Sequence, residues 1–79
     1  MIQNQVRVFV TSNFYVADPS VLLNSESLLD SGVMDSTGVL EVISFIEETF
    51  NVTVEDAEML PENLDSIDNI TNFIVRKKQ

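Results

Sequence analysis

The stretch from Ser36 to Phe50 constrains this chain more than any other. Val39, Val42, Ile43, Ile46 and Phe50 recur at helical spacing and form one apolar stripe. Thr37, Glu41, Ser44 and Glu48 fall on the other side, with Phe45 at the edge of that outer face. A helix patterned this way must bury one face against other elements. It is preceded by Gly32-Val33-Met34-Asp35-Ser36-Thr37-Gly38, where a loop turns into the helix and Asp35 is placed to cap it. Ser36 then stands at the positive end of the helix dipole, where a phosphate is tolerated. Gly38 costs the first turn about 0.5–1 kcal/mol against Ala, and is expected to leave room for something to approach the backbone beside Ser36.

Other helices follow from the same period. Ile2, Val6, Phe9, Val10 and Phe14 predict a first helix ending near Asn13. Asp18-Pro19-Ser20 breaks the pattern, and a long connection runs to Met34, carrying Val21-Leu22-Leu23, Leu28-Leu29 and Val33-Met34. A loop of this length stays compact only if it packs its own side chains, so these leucines are expected to pin it over the helices. After Phe50, a short helix is expected from Glu55 to Leu60, started by a capping pair of Thr53 and Asp56 and stopped by Pro61. Ile67, Ile70, Phe73 and Ile74 predict a last helix to about Arg76, with Asp65 or Ser66 as its cap and Arg76, Lys77 and Lys78 suiting its C-terminal end. The expected fold is an all-α, four-helix bundle: three main helices, one short one, and a long loop between the first two, in a single domain spanning 1–79.

Composition removes several functions. There is no Cys and no His, so there is no disulfide, no thiolate site and no imidazole ligand, and no metal is expected. Asp30 and Asp35 around Gly32 lack the alternating oxygens and terminal Glu of a calcium loop. Ser36 has neither a His nor a Lys nearby to activate it, so it reads as a substrate for another enzyme and not as a nucleophile of its own. Thirteen acidic residues face four basic ones, a net charge of −9, and nothing between Val8 and Val75 is cationic. That balance excludes nucleic acid and anionic membrane as partners and favours proteins with basic patches. No basic segment precedes a long apolar run, and no stretch approaches the roughly 20 apolar residues of a membrane span, so a cytoplasmic location is expected.

The sequence resembles the acyl carrier proteins and their peptidyl and D-alanyl relatives. The resemblance is carried by Gly32-Val33-Met34-Asp35-Ser36, by the helix with Glu41, Glu47-Glu48 and Phe50, by Val52 and Val54, and by Asp56, Leu60-Pro61-Glu62-Asn63-Leu64-Asp65-Ser66-Ile67 and Phe73-Ile74. It covers nearly the whole chain. It implies that Ser36 carries a covalent 4′-phosphopantetheine from coenzyme A, with Asp35 beside it, and that the arm supplies the thiol this chain lacks. It implies as partners a phosphopantetheinyl transferase, a ligase that loads an acyl or aminoacyl group, and downstream acyl-processing enzymes. Thr37 stands where the family has Leu or another apolar residue, next to the attachment serine, and bears on which transferase and partners recognise this chain.

The expectation is a free-standing, monomeric carrier that holds its cargo as a thioester and catalyses nothing. Docking falls to Thr37, Glu41, Phe45, Glu47 and Glu48. Two rivals stand against it. An unmodified acidic helical module binding one basic partner explains the charge but leaves Ser36 unexplained. A hydrolase using paired carboxylates needs a cleft that so short a bundle has little room for.

Overall fold

The computed structural model describes residues 1–16 and 18–79. Its helices are α1 (Ile2–Asn13), α2 (Ser36–Phe50), α3 (Pro61–Leu64) and α4 (Ile67–Lys78), with 3-10 turns at Pro19–Val21 and Asp56–Glu58, and no strand among the described residues. The all-α bundle with a long first loop is therefore the observed fold. α4 packs along α1 and against α3. The core is apolar apart from the buried Ser66. Val6 and Val10 of α1, Val42, Ile43, Ile46 and Phe50 of α2, Leu64 of α3, and Ile67, Ile70, Phe73 and Ile74 of α4 are buried together. α1, α2 and α4 each contribute part of the stripe their spacing predicts, with Ile2, Phe9, Phe14 and Val39 only partly buried, and burying these side chains supplies the main force that holds so small a chain together.

The long loop is pinned at both levels. Leu22, Leu28 and Met34 are buried in the core, while Leu29 and Val33 pack partly against it; Val21 and Leu23, expected to help pin the loop, are exposed instead. Polar groups from two helical regions then fix its backbone. The Arg7 guanidinium donates to the Asn24 side chain at 2.7 Å and to the carbonyls of Pro19 and Leu22 at 2.5 and 2.8 Å. The Asp65 carboxylate accepts from the Ser27 hydroxyl at 2.5 Å and from the Leu29 amide at 2.8 Å, and its carbonyl accepts from the Leu28 amide at 2.7 Å. A chain that closes a loop this way satisfies backbone groups that helix or sheet would otherwise pair. Gly32 takes φ +80°, a left-handed conformation that glycine adopts without a Cβ penalty, just before the chain enters α2.

The segment after α2 differs from the expectation. Asn51 ends α2 in the left-handed region (φ 57°) with its amide on the Glu47 carbonyl. The expected Glu55–Leu60 helix is reduced to the 3-10 turn Asp56–Glu58. Its reciprocal contact is not Thr53 with Asp56: the Glu55 amide donates to the Glu58 carboxylate at 2.9 Å. Pro61 does not merely stop a helix. It occupies the first position of α3, where a fixed φ and a missing N–H cost nothing. Lys77 reaches back from α4 to Glu58 at 2.9 Å. The Glu55 amide and then the Lys77 ammonium hold the Glu58 carboxyl below its ordinary range. Between Asp65 and Ser66, Ser66 is the cap of α4, its hydroxyl accepting from the Asn69 amide at 3.0 Å.

Candidate functional site

Ser36 is the first residue of α2 and is exposed. Asp35 precedes it in an extended conformation, and its carboxylate accepts from the Gly38 amide at 2.8 Å. That bond is the N-cap expected from the sequence, and it gives Asp35 a defined job: it sets where the helix begins, and so where Ser36 points. Ser36 stands at the positive end of α2, after a loop whose Ser27, Leu28 and Leu29 are tied to Asp65. The backbone on both sides is thus held, and Ser36 itself is exposed.

Gly38 corrects the expectation attached to it. It is buried, and a Cβ there would lie 2.7 Å from Phe14 Cε1 and 2.8 Å from Met34 Cγ. What approaches the backbone beside Ser36 is the chain's own core. The glycine lets Phe14, at the end of α1, and Met34, at the end of the loop, close against the first turn of α2.

The outer face of α2 is built as its spacing predicts. Thr37, Glu41, Ser44 and Glu48 are all exposed. Phe45 is only half-exposed: its ring stacks on Phe9 of α1, centroids 4.2 Å apart and planes at 14°, and meets Phe50 edge-on at 5.7 Å. Glu47 lies apart from the other glutamates, half-buried, its carboxylate accepting from the Val54 amide at 3.0 Å. It ties α2 to the segment that follows. The residue the sequence reading passed over is Leu40, which is 61% exposed, one turn beyond Ser36. An apolar residue between outer-face Thr37 and Glu41 was the available signal. Arg7 and Asp65 were missed as loop anchors because their partners lie far along the chain.

The residues suit a covalently attached phosphopantetheine. The hydroxyl is exposed, the helix end favours its phosphate, and Asp35 is occupied with the Gly38 amide. No helix among the described residues is long and apolar enough to cross a membrane.

Known proteins bear on this arrangement. The D-alanyl carrier protein of Streptococcus suis (strain 05ZYH33) is 32% identical over 66 residues, covering 84% of this chain and 82% of its own. The acyl carrier protein of Campylobacter fetus subsp. fetus (strain 82-40) is 34% identical over 71 residues, 90% of this chain and 88% of its own. The D-alanyl carrier protein of Streptococcus pyogenes serotype M1 is 34% identical over 60 residues, 76% of this chain and 75% of its own. No protein-family model and no solved structure matches the chain. With that identity over most of its length, on a helical bundle that presents a capped serine at the start of its second helix, the chain belongs to the acyl carrier protein family and is a non-catalytic carrier.

Proposed function

We propose that this carrier holds an acyl or aminoacyl group as a thioester on a 4′-phosphopantetheine arm attached to Ser36, and delivers it to the enzymes of a biosynthetic pathway in the cytoplasm. The observation that carries the reading is the exposed Ser36 hydroxyl at the start of α2, between an occupied cap and a pinned loop. When bound, the arm supplies the thiol on which the cargo is held. The chain's residues present it: Asp35 fixes the helix start, Asp65 and Arg7 hold the loop, and the outer face of α2 meets partners through Thr37, Glu41 and Glu48. Phe45 contributes from the edge of that face, and Glu47 from behind it. The partners in this reading are a phosphopantetheinyl transferase, a loading ligase and acyl-processing enzymes that carry basic patches. Relatives named D-alanyl carrier protein and acyl carrier protein both support the carrier role, and the proposal covers acyl and aminoacyl cargo alike.

Intact mass tests the attachment. Incubated with coenzyme A and a broad-specificity phosphopantetheinyl transferase, the protein should gain one phosphopantetheine. Ser36→Ala should gain none while keeping its helical circular dichroism, because an exposed helix-start residue contributes little packing. A wild-type protein unmodified by several transferases would instead support the unmodified interaction module.

A further inference from the structure

Between α1 and α2 runs an open groove of about 560 Å³ whose floor is the Phe9–Phe45 stack. Its α2 wall carries Leu40, Glu41 and Glu48, and it begins at Thr37, next to Ser36. A second depression shares Phe9, Asn13, Phe45 and Thr49 with it and continues along α1 past Asn4 and Val8. Val8 is 54% exposed. Apolar surface therefore runs from Leu40 across the two rings to Val8, with carboxylates on one side and uncharged amides and hydroxyls on the other.

No cation lines either depression. Arg7, the single basic residue of α1, is fastened to Asn24, Pro19 and Leu22 in the loop. Arg76 reaches Asn63, and Lys77 reaches Glu58. Lys78 donates to the Phe50 carbonyl at the far end of α2, outside the lining of both depressions. The charge lining the groove is thus that of Glu41 and Glu48. A second copy of this chain, with net charge −9, is repelled from such a face. The walls are helices, with no strand edge to which an extended peptide could add itself by main-chain pairing. A helix, whose backbone is already paired, suits a groove that offers only side chains.

We propose that this α1–α2 groove receives a basic amphipathic helix of a partner protein, with its apolar side chains over Phe9 and Phe45 and its Lys or Arg residues over Glu41 and Glu48. The proposal rests on the carrier reading for its partner, and extends the docking surface from α2 onto α1. A partner helix lying there spans from the flank of Ser36 to Val8.

The test uses the full chain, labelled with nitrogen-15, and a peptide of about 18 residues (about five helical turns) with Leu and Phe on one face and Lys on the other. Amide shifts should cluster at Asn4, Val8, Asn13, Leu40, Ser44 and Thr49. Val8→Ser should weaken binding by roughly threefold or more at an unchanged melting temperature. Val21→Ser, which removes an even more exposed apolar side chain from the loop, should leave binding unchanged. Shifts confined to α2 and indifferent to Val8→Ser would overturn the α1 half of the site. Shifts gathered around Tyr15 and Val21 would overturn the location. Sedimentation showing that the free protein pairs through this face would assign it to a second copy instead. Mass gain of the wild type with the transferase is measured separately, so loss of the carrier reading is told apart from loss of the groove.

Discussion

The inner face of α2 carries Val42, Ile43, Ile46 and Phe50, all buried, while one step around the helix Glu41, Ser44 and Glu48 are exposed. The two faces alternate along the same turns, yet they answer to different physics. The inner one is selected by volume and shape, since its side chains meet a close-packed core. The outer one is selected by charge and by what it leaves uncovered. The lesson is that folding and recognition are separable on this helix, because almost no side chain serves both. Phe45 is the exception: it is half-buried against Phe9 and also floors the groove. Gly38 marks where the two faces meet at the front, buried on the side of Phe14 and Met34 while Ser36 and Thr37 beside it stay open.

The hardest test of this separation is Ile46→Ala. Ile46 has no exposed surface, and losing its side chain leaves a cavity worth about 2–5 kcal/mol, a large part of the stability of so small a domain. Urea unfolding should show that loss in the midpoint. If Glu41→Ala loses as much, the two faces are not separate. Gly38→Val comes next. Its new side chain must enter space held by Phe14 and Met34, and should cost about 1–3 kcal/mol and shift the Phe14 ring resonances. Thr37→Val next door should change thermal stability little, so a large loss there would move the boundary between the faces.

Asp35→Ala sharpens the comparison at its front edge. It removes the acceptor of the Gly38 amide and should cost about 1 kcal/mol, read by thermal melting. Hydrogen exchange should quicken in the first turn of α2 and stay slow around Ile46. The smallest expected change in stability is that of Glu41→Ala and Glu48→Ala, within about 0.5 kcal/mol. Their effect belongs to recognition. Reversing both to Lys should raise the transferase's KM at low salt and flatten its salt dependence, since exposed charges are screened over about 8 Å at physiological ionic strength. A KM indifferent to salt and to both reversals would reduce the outer face to a solubility device.

What the sequence by itself determined is what neighbouring residues decide among themselves. The start of α2 at Ser36, its end at Phe50 and the end of α1 at Asn13 follow from apolar period and capping, which act within a turn or two. The place of Ser36 at the helix start was legible for the same reason: its cap and its helix are adjacent in the chain. The tertiary structure decided what depends on residues far apart. Asp65 looked like a candidate cap for the last helix and proved to be the anchor of a loop some 36 positions earlier. Arg7 looked like one polar residue on a helix and holds Asn24 across 17 positions. Gly38 looked like space beside Ser36, and Phe14 and Met34 fill it. Phe45 looked like an edge residue of α2, and Phe9 of α1 covers one side of its ring. Periodicity tells a side chain which way to face. It does not name the partner that arrives there, because that depends on how loop closure and packing bring separate helices together.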